Sequence, residues 1–246
     1  MDWASILTIA DGAKGSDAAM VTAIELGKRF GARVDFLHVA SDPRDLMPYV
    51  GEGMSGSALE QIMASVASSN TKRRASVEAS YKRLCSGAGL PVVRPGDASQ
   101  PGQFAVSLEI VTGRQPELIE RRGRLCDVVV MPHPSLVESD ETASMDAALF
   151  GSGRPVMLAP EKLASDFCRK VAIAWDGGRE AAKAATAALP LLQQAEEAVI
   201  ITAREKGEVS EPSALARYLA LHKVRARTWA YTPGEESIAD GLLEQA

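Results

Sequence analysis

The stretch ILTIADG, Ile6–Gly12, decides the fold, because a β-branched run ending in Asp-Gly returns as VAIAWDG at Val171–Gly177, a constant offset of 165 residues. Each copy is followed by an Ala-rich amphipathic segment and then by a second apolar run, at 32–40 and 197–203. Short β-branched runs that alternate with helical segments are typical of βαβ units in a parallel sheet. The chain is therefore predicted to hold two α/β units of the same kind in tandem.

The first copy is predicted to form a doubly wound parallel sheet of five strands. Right-handed crossovers place helices on both faces of such a sheet. A ligand is then expected at the carboxyl ends of the strands, near the point where the strand order reverses. The expected strands are 5–10, 33–39, 104–111, 127–131 and 155–159, and the expected helices are 16–30, 57–86, 115–124 and 140–150.

The second copy follows a linker and is predicted to be incomplete. It lacks counterparts of the first copy's last two strands, which would leave VAIAW, 171–175, as an exposed apolar edge strand. Two explanations stay open: the natural chain continues further, or a partner completes the sheet. The expected strands are 170–175, 197–203 and 224–231, with helices at 179–194, 211–222 and from 235 onward. The predicted domains are 1–160 and 169–246, joined by a linker at 161–168.

Composition narrows the class of protein. The chain is 46% hydrophobic and 24% charged, and its 27 basic and 32 acidic residues give a net charge of −5. These values are typical of a globular protein without a nucleic-acid or membrane partner. The N-terminus has no signal-peptide pattern, so a cytoplasmic location is expected. Three scattered cysteines favour neither a disulfide framework nor a zinc site.

The segments AIELGKRFGARVDFLHV, 23–39, and IERRGRLCDVVVMP, 119–132, resemble the universal stress protein family, and the resemblance covers essentially the whole chain. It implies a Rossmann-like sheet of order 3-2-1-4-5, a role in stress response, and pairing of two chains through their last strands. The homodimer contact would then be the strand RPVMLAP, Arg154–Pro160. Some members of the family bind ATP and others do not.

In the ATP-binding members an Asp after the first strand meets the ribose. The backbone at the end of the second strand meets the adenine, and a glycine motif after the fourth strand holds the phosphates. Carried over to this sequence, the resemblance implies a possible ATP site in each unit. The matching positions are Asp11, Gly12 and Val39 in the first unit and Asp176, Gly177 and Ala203 in the second.

The first unit departs from the glycine motif, because Pro132 and Ser135 stand where glycine is expected. Proline removes a backbone N–H donor and fixes φ. Glu138, Asp140 and Glu141 would crowd the triphosphate. Two like charges about 4 Å apart near a surface repel by roughly 4 kcal/mol. A carboxylate at a helix N-terminus stabilises the helix by only about 0.3–1 kcal/mol, so the repulsion is the larger effect. The first unit is therefore predicted not to bind ATP, and any ATP capacity is assigned to a complete second unit.

Other polar residues have structural interpretations. An Asp after a strand can make a turn with the following Gly, which is the alternative role for Asp11 and Asp176. His38 and His133 lack the neighbours that a metal site needs. The segment GEGMSGS, 51–57, is expected to be a loop over the strand ends, and Gly151-Ser152 is expected to end a helix.

Three functional hypotheses follow. The first is a regulatory nucleotide-binding or sensing module that is not an enzyme. The second is an interaction scaffold that binds no nucleotide and dimerises. The third is a weak ATP-hydrolysing enzyme related to the adenine-nucleotide hydrolase-like folds, for which Asp11, His38 and His133 are the weak candidates. The sequence shows no nucleophile elbow, Walker lysine motif or convincing triad.

Overall fold

The computed structural model of the chain divides into two compact units, Asp2–Leu163 and Ala164–Ala246. No helix in the described part of the chain is long and apolar enough to cross a membrane. The residues that the structure describes are 2–13, 15–42, 56–136, 142–203, 211–232 and 241.

The first unit is built on a parallel five-stranded sheet in the order β3-β2-β1-β4-β5, which confirms the predicted fold class. All four strand pairs are parallel, and β1 is flanked by β2 and β4. The strand order reverses at β1, so the carboxyl ends of β1 and β4 form the crevice where such sheets bind ligands. The strands are β1 Ser5–Ile9, β2 Arg33–Ala40, β3 Ala105–Thr112, β4 Val128–Pro132 and β5 Val156–Ala159.

Helices cover both faces of this sheet, as right-handed crossovers require. On β2 the even-numbered residues face one pair of helices: Val34 lies against α1, and Phe36 packs edge-to-face on Tyr81 of α2. The odd-numbered residues face the other pair, in a core that joins Leu37 to Ile119. The helices are α1 Ser16–Phe30, α2 Gly56–Tyr81, α3 Gln115–Gly123 and α4 Thr142–Asp146, and π-helical turns Lys82–Ser86 and Ala147–Gly151 extend α2 and α4.

The second unit has a parallel three-stranded sheet in the order β6-β7-β8. Its helices pack on a core around Ile173, Ile200 and Leu219. The strands are β6 Lys170–Ala174, β7 Glu197–Ala203 and β8 Ala226–Tyr231, and the helices are α5 Arg179–Ala187, α6 Leu189–Leu192 and α7 Pro212–Leu221. The tandem relationship between the two units stays a prediction.

Two sequence-based expectations differ from the structure or fall outside it. The helix expected over 179–194 is interrupted at Ala188, because Pro190 lacks the N–H that would continue the ladder and lies in the first turn of α6. The helix expected from 235 onward lies outside the described residues, apart from Gly241.

Candidate functional site

The turn after β1 holds two of the positions chosen from the sequence, Asp11 and Gly12. The Asp11 side chain lies inward, leaving the residue 5% exposed. Its Oδ1 accepts a hydrogen bond from the backbone N–H of Ala13 at 2.9 Å. This is the local Asx turn that an Asp-Gly pair favours. Gly12 has φ +76°, a left-handed conformation that residues with a Cβ rarely adopt.

Helix α2 lies directly on this turn. A Cβ at Gly12 would stand 2.6 Å from the carbonyl oxygen of Arg73. Ser76 also donates from its Oγ to the Gly12 carbonyl at 3.3 Å. The positions proposed for a ribose in the first unit therefore pack against the backbone of a helix. Sequence reasoning missed these contacts, because Arg73 and Ser76 lie more than sixty residues away along the chain.

The end of β2 is equally enclosed. Val39 belongs to the core on the α3 face. His38, 1% exposed, faces the opposite side. Its Nδ1 lies 2.8 Å from the Ala10 carbonyl, which can only accept, so Nδ1 carries the proton. Its Nε2 is buried and has no hydrogen-bond partner among the described residues.

The end of β4 has no glycine turn in its described part. Pro132 is still a strand residue and pairs with Ala159 of β5. The N–H of His133 continues the ladder to the Ala159 carbonyl at 3.1 Å. A 3₁₀ turn, Pro134–Leu136, follows, and exposed His133 contacts the Ser135 hydroxyl through Nδ1 at 2.8 Å. The acidic residues at 138, 140 and 141 and the glycine-rich loop at 51–55 lie outside the described residues.

The turn after β6 has the same sequence pattern but is open. Asp176 and Gly177 are both exposed. Asp176 Oδ1 accepts from the Gly178 N–H at 2.7 Å, and Gly177 has φ +81°. The strand pairing matches that of the first unit, since Trp175 N donates to the Ile201 carbonyl at 2.9 Å as Ala10 N donates to the Leu37 carbonyl.

Two buried polar atoms belong to residues at the carboxyl ends of β6 and β7, next to this turn in the sequence or in the strand register. They are Nε1 of Trp175, which follows β6, and Oγ1 of Thr202 in β7, and neither has a hydrogen-bond partner among the described residues. The register pairs Ala174 with Ile201, so the next residue along each strand, Trp175 and Thr202, stand side by side. Ala203, the adenine position implied by the resemblance, is the half-buried last residue of β7. A buried polar group left without a partner costs about 1–3 kcal/mol.

Two of the three cysteines, Cys85 and Cys126, are buried. Burial raises the pKa of the Cys85 and Cys126 thiols to about 11, so both stay protonated at neutral pH. Within the described residues, no group of three or more His, Cys, Asp or Glu side chains is placed to hold a metal ion.

Comparison with known proteins gives a likeness in structure. No protein-family model and no curated protein matches the sequence. A universal stress protein from Archaeoglobus fulgidus DSM 4304 superposes with a TM-score of 0.58 at 13% identity, covering 98% of this chain and 82% of its own. The fold is that of the universal stress proteins. The resemblance inferred from the sequence is thus confirmed at the level of the fold.

Two further universal stress proteins align with about two thirds of this chain. The protein UspA from Lactobacillus plantarum is 16% identical, with a TM-score of 0.43, and the alignment covers 65% of this chain and 99% of its own. A family protein from Burkholderia pseudomallei is 18% identical, with a TM-score of 0.41 and coverages of 64% and 96%.

Within this universal stress fold, the two Asp-Gly turns differ in how exposed they are. Asp11 is 5% exposed, whereas Asp176 is exposed, although each carboxylate accepts a hydrogen bond from the backbone of its own turn. A carboxylate can hydrogen-bond a ligand hydroxyl only where the ligand can approach it. The turn of the second unit is therefore accessible to a ligand, and the turn of the first unit is not.

Proposed function

We propose that the protein is a universal-stress-type regulatory module that binds an adenine nucleotide at the second unit and is not a catalyst. The observation that carries the proposal is that Trp175 Nε1 and Thr202 Oγ1 are buried without a hydrogen-bond partner among the described residues, while Asp176, the residue after Trp175, is exposed. A bound base would offer these atoms an acceptor and a donor. Asp176 would accept from the ribose hydroxyls, as the resemblance to the family implies.

The first unit is proposed not to bind nucleotide. Three features support this: Asp11 is buried, the Gly12 backbone touches Arg73, and β4 ends in Pro132 rather than in a glycine turn. Opening the turn for a ribose would require α2 to leave its contacts on Gly12. That displacement would expose core residues of α2 such as Val77.

The test is titration of the full chain with Mg-ATP by isothermal calorimetry, with extraction of any nucleotide that copurifies. Saturable binding in the micromolar range is expected. Asp176→Asn should weaken it roughly tenfold or more, because hydrogen bonds to a charged acceptor contribute about 1.5–3 kcal/mol. Thr202→Val, which keeps the side-chain shape, should also weaken it.

The matched control is Asp11→Asn, which makes the same chemical change at the corresponding turn of the first unit. It should leave the affinity for Mg-ATP unchanged. If Asp11→Asn lost binding while Asp176→Asn kept it, the nucleotide would be assigned to the first unit and the proposal would be overturned. Absence of any binding to the wild type would do the same. ATP turnover that is lost in Asp176→Asn would instead favour the weak hydrolase.

The second candidate function is a dimerising scaffold, and the edge of the first sheet favours it. Among the described strands, β5 lies at the edge of the sheet and pairs only with β4, and its Leu158 side chain is partly exposed. Leu149 and Phe150, in the π-helical turn just before β5, are also exposed, Phe150 to 81%. An apolar edge strand of this kind invites pairing with a second copy.

A further inference from the structure

A cavity of about 340 Å³ opens on the α3 face of the five-stranded sheet, in the first unit. Its floor comes from β1, β2 and β3, and the Asp11-Gly12 turn, which follows the carboxyl end of β1, is not among its lining residues. Alternate residues of a strand point to the same face, so the floor side chains converge there. They are Leu7, Arg33, Asp35, Leu37, Ser107 and Glu109. The volume lies within the range of small-molecule sites, roughly 300–1,000 Å³.

Arg33 links Asp35 in the cavity floor to the segment at 94–99 by hydrogen bonds. Its Nε donates to Asp35 Oδ1 at 2.7 Å, and its Nη1 donates to the Asp97 carbonyl and to Ser99 Oγ. Its Nη2 donates to the Arg94 carbonyl at 3.2 Å. The side chain is only 13% exposed. With all three nitrogens engaged, this guanidinium positions Asp35 and is not itself available to a ligand.

Each of the other charged groups in the lining, Asp35, Glu109 and Arg122, has one polar atom with a hydrogen bond and another without one among the described residues. Asp35 Oδ1 accepts from both Arg33 and the buried Ser107 hydroxyl, while Asp35 Oδ2 has no partner among the described residues. Glu109 pairs through Oε1 with Arg122 Nη2. Glu109 Oε2 and Arg122 Nη1 have no hydrogen bond within the described part of the chain. The cavity lining thus contains two carboxylate oxygens and one guanidinium nitrogen that have no hydrogen-bond partner among the described residues.

An apolar side chain stands at the rim. Leu125, at the turn that follows α3, is 81% exposed, and buried Leu7 and Leu37 form the apolar part of the floor. The carboxylates of Asp35 and Glu109 and the guanidiniums of Arg33 and Arg122 together carry no net charge. The site as a whole therefore offers no net electrostatic attraction to an ion of either sign. A ligand that matches it is neutral overall, carries both charges, and has an aliphatic body.

We propose that this cavity binds a free aliphatic α-amino acid. The ammonium group donates to Asp35 Oδ2 and Glu109 Oε2, the carboxylate accepts from Arg122, and the aliphatic side chain lies against Leu125. Charged partners are favoured over hydroxyl groups, because charge-assisted hydrogen bonds are about twice as strong as neutral ones. The site is separate from the nucleotide site proposed in the second unit, so each can fail without the other.

The probe is L-leucine, added to the full chain and followed by saturation-transfer NMR and calorimetry. Three comparison ligands lack matched features: isoamylamine has no carboxylate, 4-methylpentanoate has no ammonium, and D-glucose has neither charge. Binding of L-leucine is expected, with each comparison ligand roughly tenfold weaker or more. Equal binding of any comparison ligand, or no binding of L-leucine, overturns the proposal.

Variants separate binding from mere stabilisation of the fold. Glu109→Gln and Arg122→Gln should each weaken L-leucine binding roughly tenfold or more. Leu125→Ser changes an exposed side chain, so it should reduce affinity while leaving the melting temperature nearly unchanged. Glu117→Gln, which breaks an exposed Arg114–Glu117 pair on the same helix α3, is the control and should change neither. Unaltered affinity in both Arg122→Gln and Leu125→Ser would show that L-leucine binds elsewhere.

Discussion

Gly12 meets two separate requirements at one residue. Its φ of +76° calls for a residue without a Cβ, and the carbonyl of Arg73 occupies the space where a Cβ would stand. The Asp-Gly pair predicted the turn and therefore the first requirement. It carried no information on the second, because the approach of α2 depends on a helix that begins forty-four residues later.

Replacing Gly12 by alanine is expected to destabilise the first unit more than the same change at Gly89. Gly89 has φ +67° and nothing within 4 Å of its Cβ position, so Gly89→Ala measures the backbone cost alone, about 1–2 kcal/mol. Gly12→Ala adds a clash with main-chain atoms that cannot rotate away. Chemical denaturation of both variants gives the comparison. Equal losses in the free energy of unfolding would show that α2 does not press on the turn.

At the scale of the element, burial at the end of α2 raises the pKa of two side chains, Cys85 and Tyr81. The π-helical turn that extends α2 buries Cys85, and burial raises the pKa of its thiol from 9.0 to about 11. Tyr81 lies one turn earlier, and burial, together with the charge of a Cys85 thiolate, raises its pKa to about 12. The neutral forms are therefore favoured in the folded chain.

This coupling predicts a loss of stability at alkaline pH. A raised folded-state pKa contributes stability that is fully present below the unfolded value, 9.0 for a thiol, and is lost as pH rises to about 11. The contribution of Cys85 is at most about 3 kcal/mol. Denaturation at several pH values should show a smaller decline between pH 9 and 11 in Cys85→Ala than in the wild type. An identical decline in the two proteins would exclude Cys85 as a cause.

For the whole molecule, the open edge of the first sheet bears on oligomeric state. If the chain dimerises through β5, a charge placed on that strand would lose its hydration at the interface. That loss costs free energy and favours the separated monomers. Leu158→Lys is therefore expected to convert a dimer into a monomer in multi-angle light scattering. Leu221→Lys places the same charge on an exposed leucine of α7 in the other unit and should leave the mass unchanged. A wild-type chain that is monomeric at every concentration would contradict the scaffold hypothesis.

The sequence by itself determined the alternation of strands and helices and the two Asp-Gly turns, since these depend on local apolar patterns and on turn chemistry. The order of the first sheet was expected only from the resemblance to the universal stress proteins. The sequence also placed proline, where a phosphate turn needs glycine, at the end of β4. Only the tertiary structure decided that Asp11 is covered and Asp176 open, and that Asp35, Glu109 and Arg122 surround one cavity. The reason is physical: accessibility and charge pairing arise from contacts between residues far apart in the chain, which no local pattern records.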